Sequence, residues 1–461
     1  MSLLGAFIVP HPPLIVPEVG KGQEAMIKKT VDSYKEVARR IAELQPDTLI
    51  ITTPHSIMYS DYFHISPGSS ARGSFGRFGA REVSFRVEYD EEFTESLERA
   101  AERKGIEAGT LGEKEPALDH GTMVPLYFIN QYLKDYKVVR IGLSGLSVTD
   151  HYKLGRCITE TADKLGRTIV FIASGDLSHR LTEEGPYGFA PEGPAFDREV
   201  TAAMESGDFL QLLSFQQNYC EAAAECGLRS FIIMAGALSG RTVKPELLSY
   251  EGPYGVGYAV CDLHPLEEDD NRHFDLVFEA KQKELARERQ KREDPYVRLA
   301  RYSLETYVRT GKRAKLPEDL TEELTRNKAG VFVSLKKYGD LRGCIGTTSP
   351  VTDCIAKEIL RNAVSAGVED PRFPPVSVEE LEELVYSVDV LSDAEPISGI
   401  EELDVKRYGV IVTSGRRRGL LLPNLEGVDT VEQQVSIAKK KAGIYDNEQV
   451  QLERFEVVRH K

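Results

Sequence analysis

The sequence predicts an α/β domain, a mostly parallel sheet with helices on both faces, followed by a smaller α+β domain. Three observations predict it. Short apolar, β-branched runs alternate with amphipathic stretches through residues 1–265, the pattern of buried strands linked by crossover helices. Residues 266–293 are dense in both charge signs, from Glu267-Glu268-Asp269-Asp270 to Arg292, and read as a solvated linker or a long exposed helix. From residue 294 to 461 the alternation gives way to strand pairs joined by short turns, such as 330–335 and 341–346 around Lys337-Tyr338-Gly339-Asp340.

In order, residues 3–9 form a strand that ends at Pro10-His11-Pro12-Pro13, where the prolines forbid helix. Met26, Val31, Tyr34, Val37, Ile41 and Leu44 lie on one stripe of a helix over 23–45. The strand 48–53 runs into Pro54-His55-Ser56, repeating the first pattern. Residues 66–81 carry Gly, Ser, Arg72, Arg77 and Arg81; the glycines match no phosphate-cradle spacing, so a surface loop or lid is expected. After a helix over 91–104, Leu118-Asp119-His120-Gly121-Thr122 opens a further apolar helix. Strand 138–143, helix 149–165 and strand 168–173 follow, and the last delivers Ser174-Gly175-Asp176-Leu177-Ser178-His179-Arg180. Helices 196–206 and 209–215 precede residues 221–227, read as the head of an apolar helix that ends near Leu238. Strands 245–251 and 256–263 close the first domain. The second holds helix 296–310, the strand pair, helix 351–366, strands 384–391 and 409–413, helix 431–441 and strand 449–458.

Composition narrows the function. With 41% hydrophobic and 28% charged residues the chain is an ordinary globular one. Its net charge of -15 supplies no basic field, which argues against nucleic acid or an anionic membrane surface as the partner. No apolar run approaches the roughly 20 residues that span a bilayer and the start has no basic leader, so a cytoplasmic protein is expected. The six cysteines include no CxxC pair, which removes a zinc ribbon or a disulfide scaffold. Seven of the nine histidines fall within residues 1–264, so any imidazole chemistry belongs to the first domain.

His11, His55, His120 and His179 all occupy polar segments that border apolar elements, and Glu225 lies in the same domain. One such histidine is ordinarily structural. Several beside strand ends would crowd one crevice, because open α/β sheets bind ligands outside the carboxyl ends of their strands. Two imidazoles and a carboxylate make the triad of non-haem Fe(II) oxygenases and equally suit catalytic zinc. On ligand types alone, oxygenase and hydrolase both stand.

Residues 1 to about 265 resemble the class III extradiol dioxygenase LigB-like fold, of which Memo proteins are relatives. The motifs are Pro10-His11-Pro12, Pro54-His55-Ser56, Asp119-His120-Gly121, Ser174-Gly175-Asp176-Leu177-Ser178-His179 and Glu225-Cys226-Gly227. The resemblance implies that His11, His55 and Glu225 hold Fe(II); Zn(II), which the ligand types equally suit, is the alternative ion. It makes His179 the acid/base residue and His120 a hydrogen-bond partner of substrate or oxygen, and it implies a small aromatic diol and O2 as reactants. Memo proteins place a cysteine near the third ligand position, so Cys226, and Glu221 four residues before Glu225, stay open as third ligands. Tyr59, Tyr62 and Tyr187 are candidate ring walls, with ordinary packing the stronger reading for each.

Residues from about 296 to 461 resemble the AMMECR-type domain through Leu341-Arg342-Gly343-Cys344-Ile345-Gly346, Asp370-Pro371-Arg372-Phe373 and Gly419-Leu420-Leu421-Leu422-Pro423. Cys344 is either a buried small hydrophobe or a reachable thiol whose pKa Arg342 lowers. The pair of domains resembles the AmmeMemoRadiSam system, which implies a radical-SAM partner protein. No CxxxCxxC run occurs here, so an iron–sulfur centre belongs to that partner. A homodimer is a further expectation. Two readings stand beside the dioxygenase: a metal-binding scaffold protein of such a modification pathway, and a zinc hydrolase using the same ligands.

Overall fold

The computed structural model describes residues 2–112, 114, 117–425 and 427–461, with Asp340 described by its backbone. Two units emerge, Met1–Glu279 and Ala280–Lys461. The charged stretch between the expected domains is largely helical, as the helix Phe274–Arg292 runs across that boundary.

In the first unit the strands Thr48–Thr53 and Ile169–Ser174 are buried at every residue. Such strands need cover on both faces. They lie inside a six-stranded sheet ordered Lys137–Gly142, Thr48–Thr53, Ile169–Ser174, Leu3–Val9, Tyr258–Glu268 and Arg241–Glu251. The first four strands pair in parallel and the last two join antiparallel. Phe7, Val9, Leu49, Ile51, Val170 and Ile172 pack with Tyr34, Val37 and Ile41 of the helix Lys28–Leu44 and with Val124 and Phe128 of the helix His120–Ile129. The intervening residues Ala6, Ile8, Ile50 and Phe171 are equally buried, and helices Val148–Leu165 and Leu228–Ala237, packed on each other, belong to that side.

Register matters most for the site. Val9 pairs with Ser174 and Thr52 with Ala173, so three parallel strands end level with one another. His11, His55 and Asp176 each stand two residues beyond one of those ends.

Two expectations need correction. Residues 66–81 are no loop: Ser70–Phe75 and Ala80–Glu88 pair antiparallel around a short turn at Gly76–Phe78. The apolar side chains Ala71, Phe75, Ala80 and Val87 are buried and hold this hairpin on the core. The helix read as beginning near 221 is two helices, Gln217–Ala223 and Leu228–Ala237, because Ala224 takes a left-handed φ of 52°.

The second unit is built on an antiparallel sheet ordered Asp340–Gly346, Val331–Lys337, Leu384–Leu391, Gln451–His460, Tyr408–Ser414 and Arg417–Leu421, with Glu395–Ile397 also pairing on Gln451–His460. Val331, Val333 and Leu335 face a core shared with the helices Pro295–Thr310 and Ile355–Val368. No helix among the described residues is long and apolar enough to cross a membrane.

Candidate metal centre

His11 forms the floor of the crevice at 1% exposure. Its backbone N–H donates to Asp176 Oδ1 at 2.7 Å, tying the ends of the two central strands together. The Ser174 hydroxyl donates to Gly121 O at 2.6 Å, so at the 3.0 Å contact with His11 Nδ1 it is Ser174 Oγ that accepts. That bond fixes the tautomer: Nδ1 carries the proton and Nε2 presents a lone pair.

Against this lone pair stand two further donor atoms. His55 Nε2 is 2.9 Å away and Cys226 Sγ 3.7 Å away. The three ligand atoms lie within 4.8 Å of one another, and His55 is solvent-exposed, so the group opens to solvent. Imidazole nitrogens and a thiolate bound to one ion at about 2.0–2.3 Å sit roughly 3–3.7 Å apart. The residues fit a metal.

Cys226 arrives there because two glycines let the backbones close up. A Cβ on Gly175 would stand 2.2 Å from Gly227 Cα, an approach that only glycine allows. Asp176 N–H then donates to Cys226 Sγ at 3.4 Å.

Glu225, the expected third ligand, is not in this group. Its carboxylate accepts the Leu228 N–H at 2.7 Å at the start of the next helix, and it is the Sγ of its neighbour Cys226 that stands with the two imidazoles. Glu221 is exposed and accepts from Gln217 on its own short helix.

His179 and Asp176 close a second side of the chamber. The His179 Nδ1–H donates to Ala224 O at 2.7 Å, so its Nε2 is the free acceptor. His120 begins its helix behind the cap Asp119, whose carboxylate also takes the Thr53 hydroxyl at 2.7 Å and pairs with the buried Arg140 at 3.4 Å. The His120 ring stacks on His55 with centroids 4.0 Å apart. The four expected histidines are therefore gathered around one crevice.

Burial lowers the pKa of His11 well below its ordinary value, with His55 and His120 adding to the effect. Burial likewise lowers His55, and it lowers His120 to about 4 with His55 contributing. These three imidazoles are neutral at pH 7, the state that binds a cation. Burial pushes Asp176 up and the Cys226 thiol well up.

Aromatic side chains border the opening. Phe78, at the hairpin tip, lies edge-on to His120 at 5.5 Å, and Tyr187 lies edge-on to His179 at 5.6 Å. Of the expected ring walls, Tyr187 is at the chamber; Tyr59 and Tyr62 pack on each other, and Tyr59 on His64. Sequence reasoning missed Phe78, which only the fold of the hairpin places there. It also left Asp176 without a role, although the offset it shares with His11 and His55 was a usable signal.

In the second unit Cys344 is partly buried and its Sγ contacts Ser334 Oγ at 3.1 Å. Burial pushes this thiol up, and Arg342, expected to lower it, binds Glu380 through Nε and Nη2 at 2.9 Å.

Two family models match the chain, over separate stretches. Residues 5–261 match the family model described as the catalytic LigB subunit of aromatic ring-opening dioxygenase, and residues 297–460 match the model described as AMMECR1. Protein CA_C1420 of Clostridium acetobutylicum is 45% identical over 478 aligned residues that cover 100% of both chains. A protein of Thermotoga maritima is 54% identical over 171 residues, 37% of this chain and 98% of its own. The crystal structure of the uncharacterized protein PH0010 from Pyrococcus horikoshii is 36% identical and covers 36% of this chain and 88% of its own, with a TM-score of 0.34.

Proposed function

The chain belongs to the family of the catalytic LigB subunit of aromatic ring-opening dioxygenases, continued by an AMMECR1 half, and from that premise we propose that its first unit is a metal-dependent oxidoreductase of extradiol type acting on a small aromatic diol with O2. The observation that carries the reading is the convergence of His11 Nε2, His55 Nε2 and Cys226 Sγ beyond level strand ends. We name iron(II) as the ion, with zinc(II) the alternative. Held by these three residues, the ion would lower the pKa of the diol hydroxyls and bring both reactants to one centre.

The chain supplies the rest. His179, with Nε2 free, takes a proton from the diol and returns it during ring opening, a role worth roughly a hundred- to ten-thousand-fold. Neutral His120 hydrogen-bonds a substrate or oxygen atom, while Phe78 and Tyr187 flank the ring from two sides. Free thiols at all six cysteines suit a reducing cytoplasm.

The thiol supports a second reading. A soft thiolate in place of a carboxylate departs from the usual oxygenase triad and favours softer ions. The alternative is a metal-binding protein that opens no ring and serves a radical-SAM partner.

Metal analysis of anaerobically purified protein tests both. The first reading expects near-stoichiometric iron that disappears in a His11→Ala/His55→Ala variant, oxygen uptake on at least one member of a catechol panel, and His179→Ala protein that keeps its iron but loses at least about a hundredfold in turnover. Bound metal with no uptake on any catechol would favour the second reading. Protein that takes up no metal would defeat both.

A further inference from the structure

Asp176, His179 and Cys226 form a donor group of their own, with one ligand atom from each lying within 4.8 Å of the other two. Cys226 is common to this group and to the one made with His11 and His55. Asp176 is 6% exposed, and while Oδ1 accepts the His11 N–H, Oδ2 stands 3.8 Å from His11 Nε2, itself an acceptor in the tautomer set by Ser174. His179 has its Nδ1 proton committed to Ala224 O, the backbone anchoring typical of metal-ligating histidines, which leaves Nε2 as a lone pair. Carboxylate, imidazole and thiol in one place, the carboxylate buried and the other two half-buried, are the ligand types of a divalent cation.

We propose that the chamber takes a second divalent cation on Asp176, His179 and Cys226, with the Cys226 thiolate shared between the two ions, and that this second ion withdraws His179 from proton transfer. The inference rests on the metal-centre reading above and adds a regulation to it. With one ion bound at His11, His55 and Cys226, His179 keeps a free Nε2 and works as a base. With the second ion bound, that lone pair is spent. Metal in excess then silences the same centre that metal in stoichiometric amount completes.

Equilibrium dialysis of the full chain against Zn2+ under reducing conditions, read by elemental analysis, tests the count without reference to turnover. Wild type is expected to saturate at about two ions, and an Asp176→Asn/His179→Gln variant at about one. The amide that replaces the Asp176 carboxylate keeps an acceptor for the His11 N–H, and the one ion the variant retains reports an intact fold. A His11→Ala/His55→Ala variant, although it purifies without iron, should also take up about one zinc at saturation, at the second site.

Titration of wild type with Co2+ provides a reading that needs no variant. Both equivalents should perturb the thiolate-to-cobalt charge-transfer absorption, because one sulfur serves both ions. Wild type that saturates at one zinc, lost in the His11→Ala/His55→Ala variant, would overturn the second site and leave the first standing. A second cobalt equivalent that left the thiolate band unchanged would overturn the shared ligand. Wild type binding no zinc would remove the metal-centre reading and this inference together.

Discussion

Cys226 in the first unit and Cys344 in the second both stand beside carboxylates, and both thiols are pushed up by burial. They differ in what balances the charge. Around Cys344 each carboxylate has its own guanidinium: Asp370 pairs with Arg372 at 2.7 Å and Asp389 with Arg459 at 2.7 Å, while Asp370 Oδ2 also takes the Cys344 N–H at 2.9 Å. Around Cys226 the neighbours of Asp176 are imidazoles, and burial holds His11, His55 and His120 neutral. In one unit the charges cancel within the chain. In the other, lone pairs converge on a space, and under the proposed metal-centre reading the balance would come from a bound cation. A buried polar cluster is thus informative about ligands only once its internal pairing has been subtracted.

The largest expected effect follows directly. A cation at roughly a thousand times its Kd stabilises the state that binds it by about 4 kcal/mol, or about 8–16 °C in melting temperature for a unit of this size. Calorimetry of chelated and zinc-loaded protein should show that rise in the first unit alone. Hydrogen exchange identifies which unit responds, through amides of Ile169–Ser174 in one and Val331–Lys337 in the other. An equal rise in both units, or none in the first, would break the contrast.

A smaller effect sharpens it, because the two units treat one residue type with opposite sign. Burial raises the Glu225 pKa from 4.5 to about 7 in the folded protein. Its stability contribution is therefore undiminished below 4.5 and lost as pH rises through 7, a penalty of about 3 kcal/mol at most. Glu380 is driven the other way, to about 2: burial opposes ionisation, but Arg342, the Ser377 N–H and Lys337 outweigh it. Its contribution is present above about 4.5 and lost as pH falls toward 2. In chelated protein at pH 8, Glu225→Gln should stabilise the first unit, the amide oxygen still accepting from Leu228, and the gain should vanish by pH 4. Glu380→Gln should destabilise the second unit at pH 8 by about 1–2 kcal/mol, the pair being partly screened by solvent. Urea denaturation at the two pH values measures both, and like signs would contradict the electrostatic account.

What could be read from the sequence follows the same line between local and tertiary determinants. Pro10-His11-Pro12 and Pro54-His55-Ser56 each follow an apolar run, so strand, strand end and imidazole were all legible. The choice between Glu225 and Cys226 was not. The two are adjacent in a segment whose alanines read as helix, and the left-handed turn at Ala224 that decides which side chain faces the chamber leaves no periodicity behind. The hairpin Ser70–Glu88 was hidden for a related reason. Glycine, serine and arginine suggest a loop, yet the few apolar residues among them are the buried ones, and Phe78 reaches His120 only through that docking.

The smallest effect is expected at Cys344, and it bears on the weaker side of the contrast. If the charges around this thiol already cancel, its removal should change little beyond the loss of one partly buried sulfur and its contact with Ser334. Cys344→Ala should cost about 1 kcal/mol or less in urea denaturation and leave the zinc-dependent rise of the first unit unchanged. The intact thiol should react with iodoacetamide at pH 8 more slowly than a free cysteine, since burial keeps it protonated, and should speed up as pH rises. Rapid alkylation at pH 7 would mean that Arg372 prevails over burial, and would make the second unit a site of thiol chemistry in its own right.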